Sequence, residues 1–251
     1  MDSEITINGI RLTIVETYEE MCRLAADMLL ERIRVNPAMN LLLPTGSTPL
    51  GLYGILTKEY SGALGQATFF NMDEYCASLK GQIALIPETH PAGYRNYMQE
   101  NLFGRVLPKA THFPGIENVQ EEGYYDRLIE DSGGIDLCLN AMGEDGHTFG
   151  FNPPGTSFSS RTRLVKVNEG TRGVNKNITG MTTPEYAITV GLLTGMESKE
   201  ILFLVSGKRK ADILRKVMLA QEPTPLIPAT ILREHHQCHW IVDEKAAVNL
   251  K

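Results

Sequence analysis

The chain predicts an α/β protein built on a doubly wound, mostly parallel sheet with helices on both faces. Three observations carry that expectation. Short apolar, strand-like runs alternate with stretches of helical periodicity from Arg11 to Val242. Several of these runs end in glycine-bearing turns that open onto the next helix, as at Pro44-Thr45-Gly46 and Ser206-Gly207. No repeat, low-complexity segment or linker divides the 251 residues, so residues 1–251 are expected to form a single domain.

The elements follow in order. Arg11 to Val15 reads as a strand, and Tyr18 to Val35 as a helix, with Met21, Leu24, Ala25, Met28, Leu29 and Ile33 on its apolar stripe. Met39 to Leu43 is a short buried strand, followed by a helix from about Pro49. Ala67 to Met72 is the next strand, and helices follow near Gly93 to Leu102 and near Gln120 to Asp131. The run from Ile135 to Met142 is a buried strand. Leu164 to Val167, Tyr186 to Val190, Ile201 to Val205 and Cys238 to Val242 are later strands, and a helix runs from Gly207 to about Leu219. Two long loops, Cys76 to Pro91 and Asn168 to Pro184, have the length of lids or binding loops.

Composition removes several classes of function. A net charge of −6 without a Lys/Arg cluster argues against a nucleic-acid binder. No apolar run is long enough to span a bilayer, and the acidic Met1-Asp2-Ser3-Glu4 start is not a signal-peptide core. Cys22, Cys76, Cys138 and Cys238 are scattered, with no CxxC pair and no zinc-ligand spacing, so a reducing cytoplasm is the expected location. His235-His236-Gln237-Cys238-His239 leads into a strand, where alternate side chains diverge, so four donors in a row do not converge on one ion. No metal and no cofactor are expected.

The densest chemistry lies in Gly143-Glu144-Asp145-Gly146-His147-Thr148, at the end of the Ile135 strand. Ligands of open α/β sheets bind at the carboxyl ends of the strands. Gly143 and Gly146 permit backbone angles that let the loop approach a ligand, and Asp145 could orient the His147 imidazole for proton transfer; an ordinary strand-to-loop turn with a solvated Asp and His is the plainer reading of these residues alone. Gly46, Ser47 and Thr48 open a helix, where unpaired N–H groups and the helix dipole attract an anion; the same hydroxyls would also serve as plain N-caps. Lys208 or Lys210, after the Ile201 strand, offers a point charge to a phosphate, though solvated surface lysines are the plainer reading of a charged run. Asp73, in Asn71-Met72-Asp73-Glu74-Tyr75, ends a strand near that loop, where burial would raise its pKa and suit it to act as a base; capping the next turn is the plainer role.

Taken together, these motifs resemble the glucosamine-6-phosphate deaminase/isomerase family, whose superfamily includes the 6-phosphogluconolactonases. The likeness runs over nearly the whole chain: the Pro44–Pro49 loop, Asn71 to Tyr75, His90-Pro91 with Tyr94, Asn101-Leu102-Phe103, Arg161-Thr162-Arg163 with Thr171-Arg172, Ala187 to Gly191 and Ser206 to Ala211. The resemblance implies a Rossmann-like fold of the sugar-phosphate isomerase type. It implies that Asp73 moves a proton between C1 and C2, that Asp145 and His147 assist ring opening, and that Gly46, Ser47, Thr48 and Lys210 hold the substrate phosphate.

Two departures stand out. The family's run after the histidine ends in Phe-Asn-Glu-Pro, and its glutamate belongs to the ring-opening relay. Here Thr148-Phe149-Gly150-Phe151-Asn152-Pro153-Pro154 is one residue longer and places Pro153 at that position. Asn177 falls near the family's lid arginine, which leaves Arg172 or Lys176 as substitutes. The expected function is conversion of an amino-sugar 6-phosphate to a ketose 6-phosphate with release of ammonia. The alternatives are a lactonase with His147 as general base for water, close to the Gly146-His147-Thr148 spelling, and a non-catalytic sugar-phosphate-binding homologue. The expected partner is a small-molecule sugar phosphate, with no nucleic acid and no membrane, and with a homo-oligomer left open.

Overall fold

A computed structural model describes residues 3–79, 81–167, 169–170, 172–173 and 181–250. Its main sheet has eight strands: β1 (Ser3–Ile7), β2 (Ile10–Val15), β3 (Asn40–Leu43), β4 (Thr68–Asn71), β7 (Ala110–His112), β8 (Leu137–Ala141), β11 (Glu200–Val205) and β12 (Cys238–Asp243). Their spatial order is β1-β2-β12-β11-β8-β3-β4-β7, and every pairing is parallel except the β1–β2 hairpin.

The doubly wound expectation holds, and side-chain alternation explains it. Leu41 and Leu43 pack on one face with helix α1 (Tyr18–Val35) and helix α2 (Ser47–Glu59), while Leu42 between them packs on the other. The second face takes up Phe70, Cys138, Phe203 and Val205, with Leu214 and Val217 from the helix Ala211–Leu219. From β3 the chain winds outward to β4 and β7. It then returns to β8 on the other side of β3 and winds outward again through β11 to β12. The carboxyl ends of β3 and β8 are therefore the switch point at which consecutive connections diverge and leave a crevice.

One expectation is corrected. Cys76 to Pro91 is not a long loop: β5 (Asp73–Leu79) and β6 (Gln82–Leu85) form an antiparallel hairpin. With β10 (Tyr186–Thr189) and β9 (Arg163–Lys166) they make a second, fully antiparallel sheet in the order β6-β5-β10-β9. Asp73, Glu74, Tyr75 and Cys76 are all buried, so β5 lacks the in–out alternation that marks a half-exposed strand. The expected strands at Leu164 and Tyr186 are present but belong to this second sheet. The edge strands β1 and β7 escape the pattern because neither contains a fully buried residue. The helix expected from Gln120 is split, since Tyr124–Asp131 starts only after Gly123. The Asn168 to Pro184 loop falls largely outside the described residues.

Candidate active site

The Pro44–Thr48 loop joins β3 to α2. Gly46 caps the helix at φ +127°, a region that L side chains rarely adopt, and α2 begins at Ser47. The N–H groups of Ser47 and Thr48 thus have no partner inside the helix. Lys210 reaches this turn from the chain after β11, its Nζ donating to Thr48 Oγ1 at 2.9 Å. Burial pushes the ammonium pKa down to about 8 against the charges of Glu144 and Asp243, which act upward. A cation beside unpaired N–H groups at a helix start is the arrangement that attracts an anion.

Asp73 opens β5 immediately after β4, at the edge of the same cavity. It is 4% exposed. Burial, aided by the neighbouring Glu74 charge, raises its pKa well above the carboxylate range, while a hydrogen bond with Thr45 works against that shift. Gly150 makes room for it: at φ +81°, a Cβ there would sit 2.8 Å from Asp73 Oδ2. Glu74 is a brace. It accepts the N–H groups of Tyr75 (2.8 Å), Tyr94 (2.9 Å) and Arg95 (2.7 Å), which ties β5 to the start of helix α3 (Tyr94–Met98).

His147 Nδ1 lies 2.6 Å from Asp145 Oδ1, and the His147 N–H donates to the same oxygen at 3.1 Å. Burial acts to raise the Asp145 pKa, but the hydrogen bond and charge of His147 outweigh it, and the net shift is downward. An ionised Asp145 therefore fixes the ring with Nε2 as its exchangeable position. The two glycines of this loop play different parts. Gly146 has φ +85°, whereas Gly143 is not left-handed but is required sterically, because a Cβ on it would overlap the His147 ring.

After His147 the chain coils through two consecutive left-handed residues, Phe149 (φ +53°) and Gly150. Asn140 and Asn152 hold the coil. Asn140 Oδ1 accepts the Phe149 N–H at 3.2 Å, and Asn152 Nδ2 donates to the carbonyls of Thr148, Phe149 and Val190. Phe151 is thereby stacked on Tyr94, with ring centroids 5.8 Å apart. Pro153 lies outside the cavity lining, its carbonyl accepting the Thr156 N–H and hydroxyl.

Asp73, Asp145, His147, Gly46, Ser47, Thr48 and Lys210 line one cavity of about 390 Å³ at the switch point. Of the remaining candidates, Arg172 and Lys208 are described and do not line it. Arg172 donates to the Thr183 carbonyl at 3.1–3.2 Å and faces Glu185 at 3.6 Å, and Lys176 lies outside the described residues. Lys208 is exposed and away from the lining. The cavity also contains residues the motif reading did not assign: Thr45, Tyr94, Asn140, Phe151 and Arg209, which pairs with Glu144 at 3.1 Å. Thr45 could have been inferred from its place in the loop. Tyr94 and Phe151 carry no local signal, because only the second sheet brings them to the wall. In the histidine-rich segment, His235 Nε2 meets the Ser198 carbonyl and His239 Nε2 meets Glu200, so these two imidazoles point to different partners.

A switch-point cavity that gathers a buried acid, an acid–imidazole pair and a cation belongs to the α/β enzymes that act on small molecules, and comparison with known proteins gives the family. Residues 14–240 match the family described as glucosamine-6-phosphate isomerases/6-phosphogluconolactonase, and the protein belongs to that family. It is 39% identical over 254 residues to glucosamine-6-phosphate deaminase 2 of Bacillus subtilis, covering 96% of this chain and 98% of the relative. The glucosamine-6-phosphate deaminase of Shouchella clausii is 41% identical, covering 93% and 94%. Among solved structures, a monomeric glucosamine-6-phosphate deaminase superposes with a TM-score of 0.83 at 32% identity, covering 95% of this chain and 99% of that one. The 6-phosphogluconolactonase of Trypanosoma brucei shares the fold, with a TM-score of 0.75 at 18% identity over 98% of this chain and 100% of its own.

Proposed function

We propose that the protein is a glucosamine-6-phosphate deaminase, converting the amino-sugar phosphate and water to a ketose 6-phosphate and ammonia. The observation that carries this reading is the position of Asp73, a buried carboxylate of raised pKa in the same cavity as the Lys210 anion site and the Asp145–His147 pair. Hydrolysis of a lactone calls for no base at C2, whereas an aldose–ketose isomerisation does. The full-length relatives near 40% identity bear deaminase names, which supports the same choice.

In this reading, Lys210 and the first turn of α2 hold the phosphate, and the remote anchor fixes the reacting carbons. His147, held by Asp145, passes a proton to the ring oxygen as the sugar opens. Asp73 removes the C2 proton of the open-chain aldehyde, and a proton returns to C1. The resulting C2 imine is hydrolysed by water to the ketone, and ammonia leaves. Phe151 and Tyr94 supply an apolar wall that keeps the carboxyl group of Asp73 out of water. Pro153 contributes nothing to this relay, which leaves the Asp145–His147 pair to open the ring alone or with Glu144, the other carboxylate on that loop, in the glutamate's place.

The test is direct. Purified protein is offered glucosamine 6-phosphate, galactosamine 6-phosphate and 6-phosphogluconolactone, and ammonia, ketose and acid are followed separately. Ammonia and ketose in equal amounts from glucosamine 6-phosphate are expected. Acid from the lactone without ammonia from either amino sugar would replace this reading with the hydrolytic one. Binding of all three without turnover would leave a non-catalytic homologue.

A further inference from the structure

Three tyrosines surround the anion loop from behind, and none of them lines the cavity. Tyr53 Oη donates to the Pro44 carbonyl at 2.6 Å, and Tyr97 Oη to the Gly46 carbonyl at 2.6 Å. Tyr18 Oη is shared between the carbonyls of Ser47 (3.0 Å) and Thr48 (3.1 Å), and itself accepts the Gly51 N–H at 2.8 Å. The three come from different elements: Tyr18 from α1, Tyr53 from α2 and Tyr97 from α3.

In a trans peptide unit the carbonyl and the following N–H point in opposite directions. Tying the Pro44, Gly46 and Ser47 carbonyls to hydroxyls therefore fixes the opposite headings of the Thr45, Ser47 and Thr48 N–H groups. We propose that Tyr18, Tyr53 and Tyr97 are positioning residues that preset the loop's N–H groups for the phosphate of the substrate, an inference that rests on the sugar-phosphate reading of the cavity. A loop without these ties must be ordered by the ligand, and that ordering lowers affinity. The site also shows how closely Tyr18 is fitted. A Cβ on Gly51 would lie 2.7 Å from Cys22 Sγ and 2.9 Å from Tyr18 Oη, so glycine at 51 is what lets the hydroxyl into the first turn of α2.

The clean variants are Tyr97→Phe and Tyr18→Phe, which remove a hydroxyl but keep the ring; Gly51→Ala tests the Tyr18 contact from the other side. For each, thermal unfolding, kcat and KM for glucosamine 6-phosphate, and the competitive inhibition constant of inorganic phosphate are measured. The expected result is a folded protein whose KM and phosphate inhibition constant rise together, about 2–10-fold per lost hydrogen bond to a loop carbonyl, with kcat within about twofold of wild type. A purely structural role would lower the unfolding temperature without that paired rise, and unchanged KM and phosphate inhibition in folded Tyr97→Phe and Tyr18→Phe would overturn the inference alone. If inorganic phosphate failed to inhibit or bind the wild-type protein, the sugar-phosphate reading would fall, and this inference with it.

Discussion

In the proposed reaction the chemistry turns on Asp73, Lys210 and His147, and these residues carry the first predictions. Asp73→Asn keeps the size of the side chain but cannot accept the C2 proton. Deamination should fall by about 10²–10⁴-fold, while the phosphate inhibition constant stays near wild type, since a positioned general base contributes on that order. A lactonase would tolerate this change and be crippled by His147→Ala instead, so the pair of variants assayed on both substrates separates the two chemistries. Lys210 gives a pH signature. Its pKa is lowered to about 8 by burial, so the ammonium charge is present below that pH and is lost as pH rises through it. A phosphate monoester reaches its dianion above about pH 6. Substrate affinity should therefore be best between these two values, and KM should rise about tenfold from pH 7 to pH 9, as expected for one required proton. A flat KM across that range would contradict phosphate binding by a Lys210 ammonium that loses its proton near pH 8. At this scale the sequence was informative where chemistry is local. The acid–imidazole pair, the loop glycine and the strand-end aspartate all carry their meaning in neighbouring residues, whereas Tyr94 and Phe151 reach the cavity only through tertiary pairing.

At the scale of elements, the four central strands were legible because Leu41 to Leu43, Phe69 and Phe70, Leu137 to Leu139 and Ile201 to Val205 form short unbroken apolar runs. The β5–β6 hairpin was not, because its buried stretch mixes Asp73 and Glu74 with Tyr75 and Cys76 and has no period to read. The turn after His147 makes a prediction here. Gly150→Ala places a Cβ against Asp73 and forces a left-handed angle on alanine, which should destabilise the fold by about 1–3 kcal/mol in denaturant titration and lower kcat as well. A second element-level tie joins α1 to the sheet. Glu200 at the start of β11 meets Arg32 at 2.7 Å and His239 at 2.9 Å. Burial acts to raise its pKa, but these two partners lower it from 4.5 to about 2. A depressed carboxylate contributes stability that is present above pH 4.5 and lost as pH falls toward 2. Replacing it by Gln should cost about 1–3 kcal/mol at pH 7, allowing for partial exposure, and should flatten the decline in stability between those pH values. An unchanged acid-unfolding profile would remove this tie from the account.

For the whole molecule, the order of strands determines where function sits. The chain reverses its winding between β3 and β8, and the loops that follow β3, β4, β8 and β11 converge over that point. The second sheet closes one side, since its first residue, Asp73, continues directly from β4 through Met72, and Thr189 pairs with it across β10. That arrangement explains why residues separated by more than a hundred positions share one cavity, and why a motif-by-motif reading gathered most of them while missing the wall. No helix among the described residues is long and apolar enough to cross a membrane.

The central claim is that Asp73 moves a carbon-bound proton of a phosphorylated amino sugar. Turnover of glucosamine 6-phosphate in deuterium oxide, with the ketose product read by NMR, tests it most directly. Deuterium at C1 of the ketose formed by the wild-type protein, together with loss of both product and label in Asp73→Asn, is the predicted result. Ketose formed at the wild-type rate by Asp73→Asn would contradict it.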